Sequence, residues 1–211
     1  MKLFYKNKNV LVTGGTGLIG TQLVNKLVKL KSRVIVASLD KNIELPKGVK
    51  FIRSDLRFFE NCLKIQPHYS FAVNNIEHVG DVCAKKGNSD IAIRAYTLLT
   101  VHTPKNFRIF LKLGQVYGKD LGDNETALRN FLEANKLQPN NIEVLNKLGI
   151  VYSMTGRNNE AIEAFNKVIE QQPENANTLI NIGITYTNMG FPEMAEPIIQ
   201  KASSIDPSLK R

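Results

Sequence analysis

The chain has 211 residues, with 28 Lys and Arg against 19 Asp and Glu and a formal charge of +9. That length holds one large domain or two small ones with a real core. The charge is lopsided: residues 1–66 carry 13 basic and 4 acidic side chains while the remainder is balanced, which excludes the evenly basic surface of a general nucleic-acid binder.

Two cysteines, Cys62 and Cys83, are too far apart for a CxxC pair, and His68, His78 and His102 have no zinc-ligand spacing. Both thiols lie in apolar-periodic contexts and are expected to be buried and reduced. No apolar run approaches the length of a membrane helix. The opening MKLFYKNKNVLVTGG runs straight into glycines, without the apolar core of a signal peptide. The expected setting is the cytoplasm.

In chain order, Asn9-Val-Leu-Val-Thr13 is a short apolar run suited to a buried strand. The turn Gly14-Gly15-Thr16-Gly17-Leu18-Ile19-Gly20 follows, then an apolar stripe of helical period to about residue 30. Further runs at 34–37 and 49–52 complete a predicted strand–helix–strand unit with parallel strands. Glycines between a strand and a helix suit phosphate binding, because the helix N-terminus presents free N–H groups and partial positive charge.

From about residue 70 the period changes. Four segments align at 78–104, 112–139, 147–173 and 181–207, each ending in proline: Pro104, Pro139, Pro173 and Pro207. The glycines Gly80, Gly114, Gly149 and Gly183 keep the same step, as do Gly87, Gly122, Gly156 and Gly190. One extra residue sits in the second segment, before Gly122. Copies of this length imply stacked supersecondary units. The first glycine set is predicted to let paired helices approach closely. The second set stops the first helix in a left-handed conformation, and the prolines end the second helix. Ala92, Ala127, Ala161 and Ala195 are expected as small contact residues. Tyr96, Phe131, Phe165 and Ile199 are expected to fill the space between neighbouring repeats.

On these residues, 73–209 resembles the tetratricopeptide (TPR) repeat family, whose 34-residue unit is a helix–turn–helix. The N-terminal TGGTGLIG, SLD and SDL resemble the start of an extended short-chain dehydrogenase/reductase of the NAD-dependent epimerase/dehydratase type. That second resemblance implies NAD(P) as cofactor. Gly14, Gly17 and Gly20, with Leu18 and Ile19 between them, would hold the pyrophosphate, Asp40 the ribose, and Asp55 with Leu56 would border the adenine. Counted without gaps, the family's acidic position falls at Ser38, two before Asp40. The family's Tyr-x-x-x-Lys is missing after every tyrosine (Tyr5, Tyr69, Tyr96, Tyr117, Tyr152, Tyr186), and the substrate half is not encoded. Without that pair no phenol is activated for redox at a sugar hydroxyl, so no catalytic residues are expected and NAD(P) binding is expected to be weak or absent.

The expected fold class is therefore mixed. A truncated Rossmann-like βαβ(β) unit (1–66) is followed by an all-α TPR solenoid of four repeats (73–209). Such solenoids expose a concave surface. In the TPR family the residue two before the first-helix glycine faces it, which implies His78, Lys112, Lys147 and Asn181 as partner-binding residues. The lysines, as point charges, suit an acidic peptide or a terminal carboxylate. The leading reading is a scaffold that binds a protein or peptide in this groove. Self-association is expected through an open strand edge or the apolar last repeat; neither nucleic acid nor membrane is expected. A second reading is a nucleotide- or NAD-binding subunit completed by a partner or second copy. A third is a nonfunctional fusion product whose TPR half folds alone.

Overall fold

The computed structural model describes residues 6–13, 18–38, 46–53, 56–66 and 69–209. The chain divides into two compact units, Met1–Asn75 and Ile76–Arg211.

In the first unit, β1 (Asn9–Thr13), β2 (Arg33–Ser38) and β3 (Lys50–Arg53) form a parallel sheet in the order β1-β2-β3. Val10 lies opposite Val34, and Val36 opposite Phe51. Helix α1 (Leu18–Lys29) crosses from β1 to β2 and buries Val24 and Leu27 with Val12 and Val34. It ends on Lys31 at φ +58°, with Ser32 N–H donating to the Leu27 carbonyl at 3.2 Å. That is a left-handed helix stop made without glycine. Helix α2 (Leu56–Ile65) buries Leu56, Phe59 and Leu63, and the Phe59 ring stands 6.2 Å from that of Phe71. Cys62 is half-buried rather than buried, whereas Cys83 in the second unit is buried, and both thiols are free. Burial pushes both thiol pKa values up.

The reading of 1–66 as a truncated Rossmann-like unit of a short-chain dehydrogenase/reductase is corrected here. A dinucleotide lies where strand order reverses, in a crevice flanked by strands on both sides of the first. Among the described residues the order runs one way, β1-β2-β3, with a single crossover helix, so there is no such switch point. The architecture that dominates the chain is a helical solenoid.

That solenoid begins with α3 (Ser70–Lys85), which spans the division between the units, and α4 (Ser89–His102). Next come α5 (Phe107–Gln115), continued by a π-helical turn (Val116–Asp120), and α6 (Asn124–Leu137). Then follow α7 (Ile142–Met154), α8 (Asn158–Gln171), α9 (Ala176–Asn188) and α10 (Pro192–Ile205). A short 3₁₀ turn, Pro207–Leu209, closes the described chain.

The paired helices interlock at one point per repeat. A Cβ placed on Gly114 would stand 2.6 Å from the Phe131 ring, and the same conflict pairs Gly80 with Tyr96, Gly149 with Phe165 and Gly183 with Ile199. The large side chains therefore fill a gap inside their own repeat, in addition to the space expected between neighbouring repeats. Phe131 and Phe165 also reach outward: Phe131 packs with Val144 and Leu148 of α7, and Phe165 with Ile182 of α9. The first helices stop at glycines in the left-handed region, for example Gly156 at φ +75°. The second helices stop before proline, with Gln138 and Gln172 out of the helical region at φ −137° and −135°, since a following proline disfavours the helical conformation.

Two features were not foreseen. Asn106, Asn141 and Asn175, each two residues after a repeat-ending proline, cap the next first helix. Asn141 Oδ1 accepts from Val144 N–H at 3.2 Å and Asn175 Oδ1 from Thr178 N–H at 3.0 Å. The extra residue of the second repeat is absorbed by the π turn, since a π turn is an α-helix with one residue inserted. Among the described residues no helix is long and apolar enough to cross a membrane.

Candidate functional site

The first helices of the four repeats, α3, α5, α7 and α9, present side chains in matching rows. Stepping i, i+3, i+7 along each gives His78, Asp81 and Lys85, then Lys112, Gln115 and Lys119. The third and fourth helices give Lys147, Ile150 and Met154, then Asn181, Ile184 and Asn188. Residues at these steps share one face of a helix.

Three clefts run along this face. The first, about 350 Å³, lies between repeats one and two and is lined by Asp81, Lys85, Tyr96, Lys112, Gln115, Lys119 and Asp120. The second, about 530 Å³, lies between repeats two and three, with Gln115, Lys119, Asn124, Phe131, Lys147, Ile150 and Met154. The third, about 170 Å³, carries Ile150, Ser153, Met154, Asn181, Ile184 and Asn188. Met154, at 61% exposure, and Ile184, at 47%, are unusually open for apolar side chains.

The chemistry changes along the face. In the first cleft, Lys112 Nζ donates to Glu77 Oε1 at 2.6 Å and to Asp81 Oδ2 at 2.9 Å, and Tyr96 Oη donates to Asp81 Oδ1 at 2.8 Å. Partial burial acts to raise the Asp81 pKa, but the bonds from Lys112 and Tyr96 outweigh it and hold the carboxyl below its ordinary range. Burial acts to lower the Lys112 pKa, and the two carboxylates outweigh it in turn. Burial and then Asp81 push the Tyr96 phenol well up. Between the first helices of repeats three and four neutral groups do the linking: Thr178 Oγ1 donates to Asn146 Oδ1 at 2.8 Å, and Thr185 Oγ1 lies 3.2 Å from Ser153 Oγ.

The sequence-derived partner residues divide accordingly. Lys147 and Asn181 are half-buried and line the second and third clefts. Lys112 lines the first, but its ammonium is engaged by Glu77 and Asp81. His78 is exposed on α3 and lines none of the three. Gln115, Lys119, Ile150, Met154 and Ile184 were missed. Carrying the i+3 and i+7 steps from Lys112, Lys147 and Asn181 would have found them. Of the nucleotide-site residues, Gly14, Gly17, Asp40 and Asp55 lie outside the described residues. Leu18, Ile19 and Gly20 open α1, and Leu56 is a core residue of α2. Among the described residues no group of three His, Cys, Asp or Glu side chains is gathered as a metal site.

Comparison with known proteins agrees with this geometry. Models of the TPR repeat match residues 119–156, and tetratricopeptide repeat models match 142–175 and 176–209. The fold is that of a tetratricopeptide-repeat helical solenoid. The first repeat, Ser70–His102, joins the series through its Gly80–Tyr96 interlock. Among solved structures, a crystal structure of MamA superimposes with a TM-score of 0.62 at 23% identity, over 72% of this chain and 87% of that one. YrrB, described as a TPR protein with an unusual peptide-binding site, gives 0.62 at 27% identity, over 72% and 76%. MamA 41-end from Desulfovibrio magneticus RS-1 gives 0.60 at 21%, over 64% and 76%. No curated protein matches the chain. These likenesses are to helical-repeat proteins, and the dehydrogenase resemblance of the N-terminal residues is not upheld.

Proposed function

We propose that the solenoid is a protein-interaction scaffold that binds an extended peptide segment of a partner along α3, α5, α7 and α9. The observation that carries this reading is the run of three clefts on aligned helix rows. Open apolar side chains, Ile150, Met154 and Ile184, stand there beside lysines and amides. A surface with apolar anchors and a few polar groups that fix orientation suits a peptide. A peptide-binding site in YrrB, at 27% identity, supports the same use here.

The test is selection from an unbiased random peptide phage library on the full-length protein. Enrichment of peptides whose binding falls about tenfold with Ile150→Asp/Ile184→Asp is expected, since an unpaired charge is costly in a desolvated contact. Circular dichroism would check that the variant keeps its helices. No enrichment, or binding indifferent to the variant, would overturn the reading.

A further inference from the structure

We propose that the second cleft seats an acidic side chain of the bound peptide between Lys119 and Lys147, and that the third takes an aliphatic side chain three residues along the ligand. This inference rests on the groove reading above.

The argument starts from charge. The second cleft is lined by two lysines and no carboxylate. Neither Lys119 nor Lys147 forms an ion pair among the described residues. The first cleft has lysines too, but Asp81 and Asp120 line it and Lys112 is already engaged. The third has no charged lining residue and two open isoleucines, Ile150 and Ile184, with Met154. Of the three clefts, the second is therefore the one that offers an anion lysines free of ion pairs and no lining carboxylate, with an apolar cleft beside it. The inserted residue of repeat two sharpens this. Lys119 sits on the π turn and lines both the first and second clefts, and π turns are frequent at functional positions.

Spacing then fixes the ligand's pattern. Packed helices stand about 8–10 Å apart. A peptide in the polyproline II conformation repeats one face every three residues, at about 3.1 Å each, or roughly 9 Å. An acidic residue in the second cleft thus places the third residue after it, or the third before it, at the next cleft on the same face. The ligand class is an acidic–aliphatic segment of that spacing.

The experiment is fluorescence anisotropy on the full-length protein with labelled synthetic peptides in a proline-, glycine- and serine-rich background. One set carries an aspartate followed at the third position by leucine, and a second has the reverse order. In the preferred order, replacing the aspartate by asparagine is expected to weaken binding about fivefold, and less than about twofold against Lys119→Ala/Lys147→Ala. Moving the leucine to the second position should also weaken binding. An aspartate effect of equal size in wild type and double variant would overturn the proposal. So would library-selected peptides that bind the groove without an acidic residue, which would leave the groove reading standing. Failure of the library itself to give any groove-dependent binder would remove both.

Discussion

The junction between repeats one and two and the junction between repeats three and four solve one packing problem with different polar chemistry. Each follows a repeat whose own two helices interlock by a glycine against a large side chain: Gly80 with Tyr96 in repeat one, Gly149 with Phe165 in repeat three. At the first, neighbouring first helices are tied by ions, Lys112 to Glu77 and Asp81, with the Tyr96 hydroxyl on the same carboxylate. At the second the tie is neutral, Thr178 to Asn146 and Thr185 beside Ser153. The repeat specifies a geometry, and the polar link across it is free to vary. Charge at one junction and hydroxyls at the other should make the two junctions respond differently to pH.

The interlock should give the largest effects, and equal ones at both junctions. Phe165→Ala, at a fully buried ring, is expected to cost about 3–5 kcal/mol in urea unfolding, and Tyr96→Ala a similar amount. Gly149→Ala and Gly80→Ala should each cost about 1–3 kcal/mol, because the added methyl meets a ring that has nowhere to go. A large inequality between the two junctions would show that the interlock is not the shared element.

The polar links should then separate the junctions. Lys112→Met removes the partner of two carboxylates about one-third exposed, and Thr178→Val leaves Asn146 without its buried donor; about 1 kcal/mol is expected for each. Only the ionic junction should titrate. Asp81 is held below its ordinary 3.8, so its contribution is present above that range and is lost as pH falls through the lower folded value. Lys112 is held above 10.5, so its contribution is complete below that and is lost as pH rises through the higher folded value. Hydrogen exchange should show α3 and α5 loosening in acid before α7 and α9 do, and Lys112→Met should abolish that order. The smallest effect is a cap common to both: Asn106→Ala and Asn175→Ala should each cost about 0.5 kcal/mol by thermal unfolding, the low end of the range for a lost N-cap.

How much of this was legible varies by region. The solenoid was written in its repeats, since glycine and proline at a fixed step report backbone constraints that depend only on local sequence. The capping asparagines are equally local signals, each two residues after a repeat-ending proline. The Lys112 cluster was not legible. Glu77 and Asp81 lie 35 and 31 positions from Lys112, and only the stacking of repeats brings them together. Its lysine therefore looked available for a ligand when it was already committed. The N-terminal misreading has the opposite cause. A strand, a glycine turn and a helix are local features shared by many small parallel sheets. Assigning even a truncated dinucleotide fold to them needs the reversal of strand order on the far side of the first strand, which the described residues do not form.

The most direct test of the central claim is an NMR titration of the full-length protein with a library-selected peptide, following backbone amide shifts. The account predicts changes concentrated at Lys119, Lys147, Ile150, Met154 and Ile184. Changes confined to the second helices of the repeats, or to residues 6–66, would contradict it.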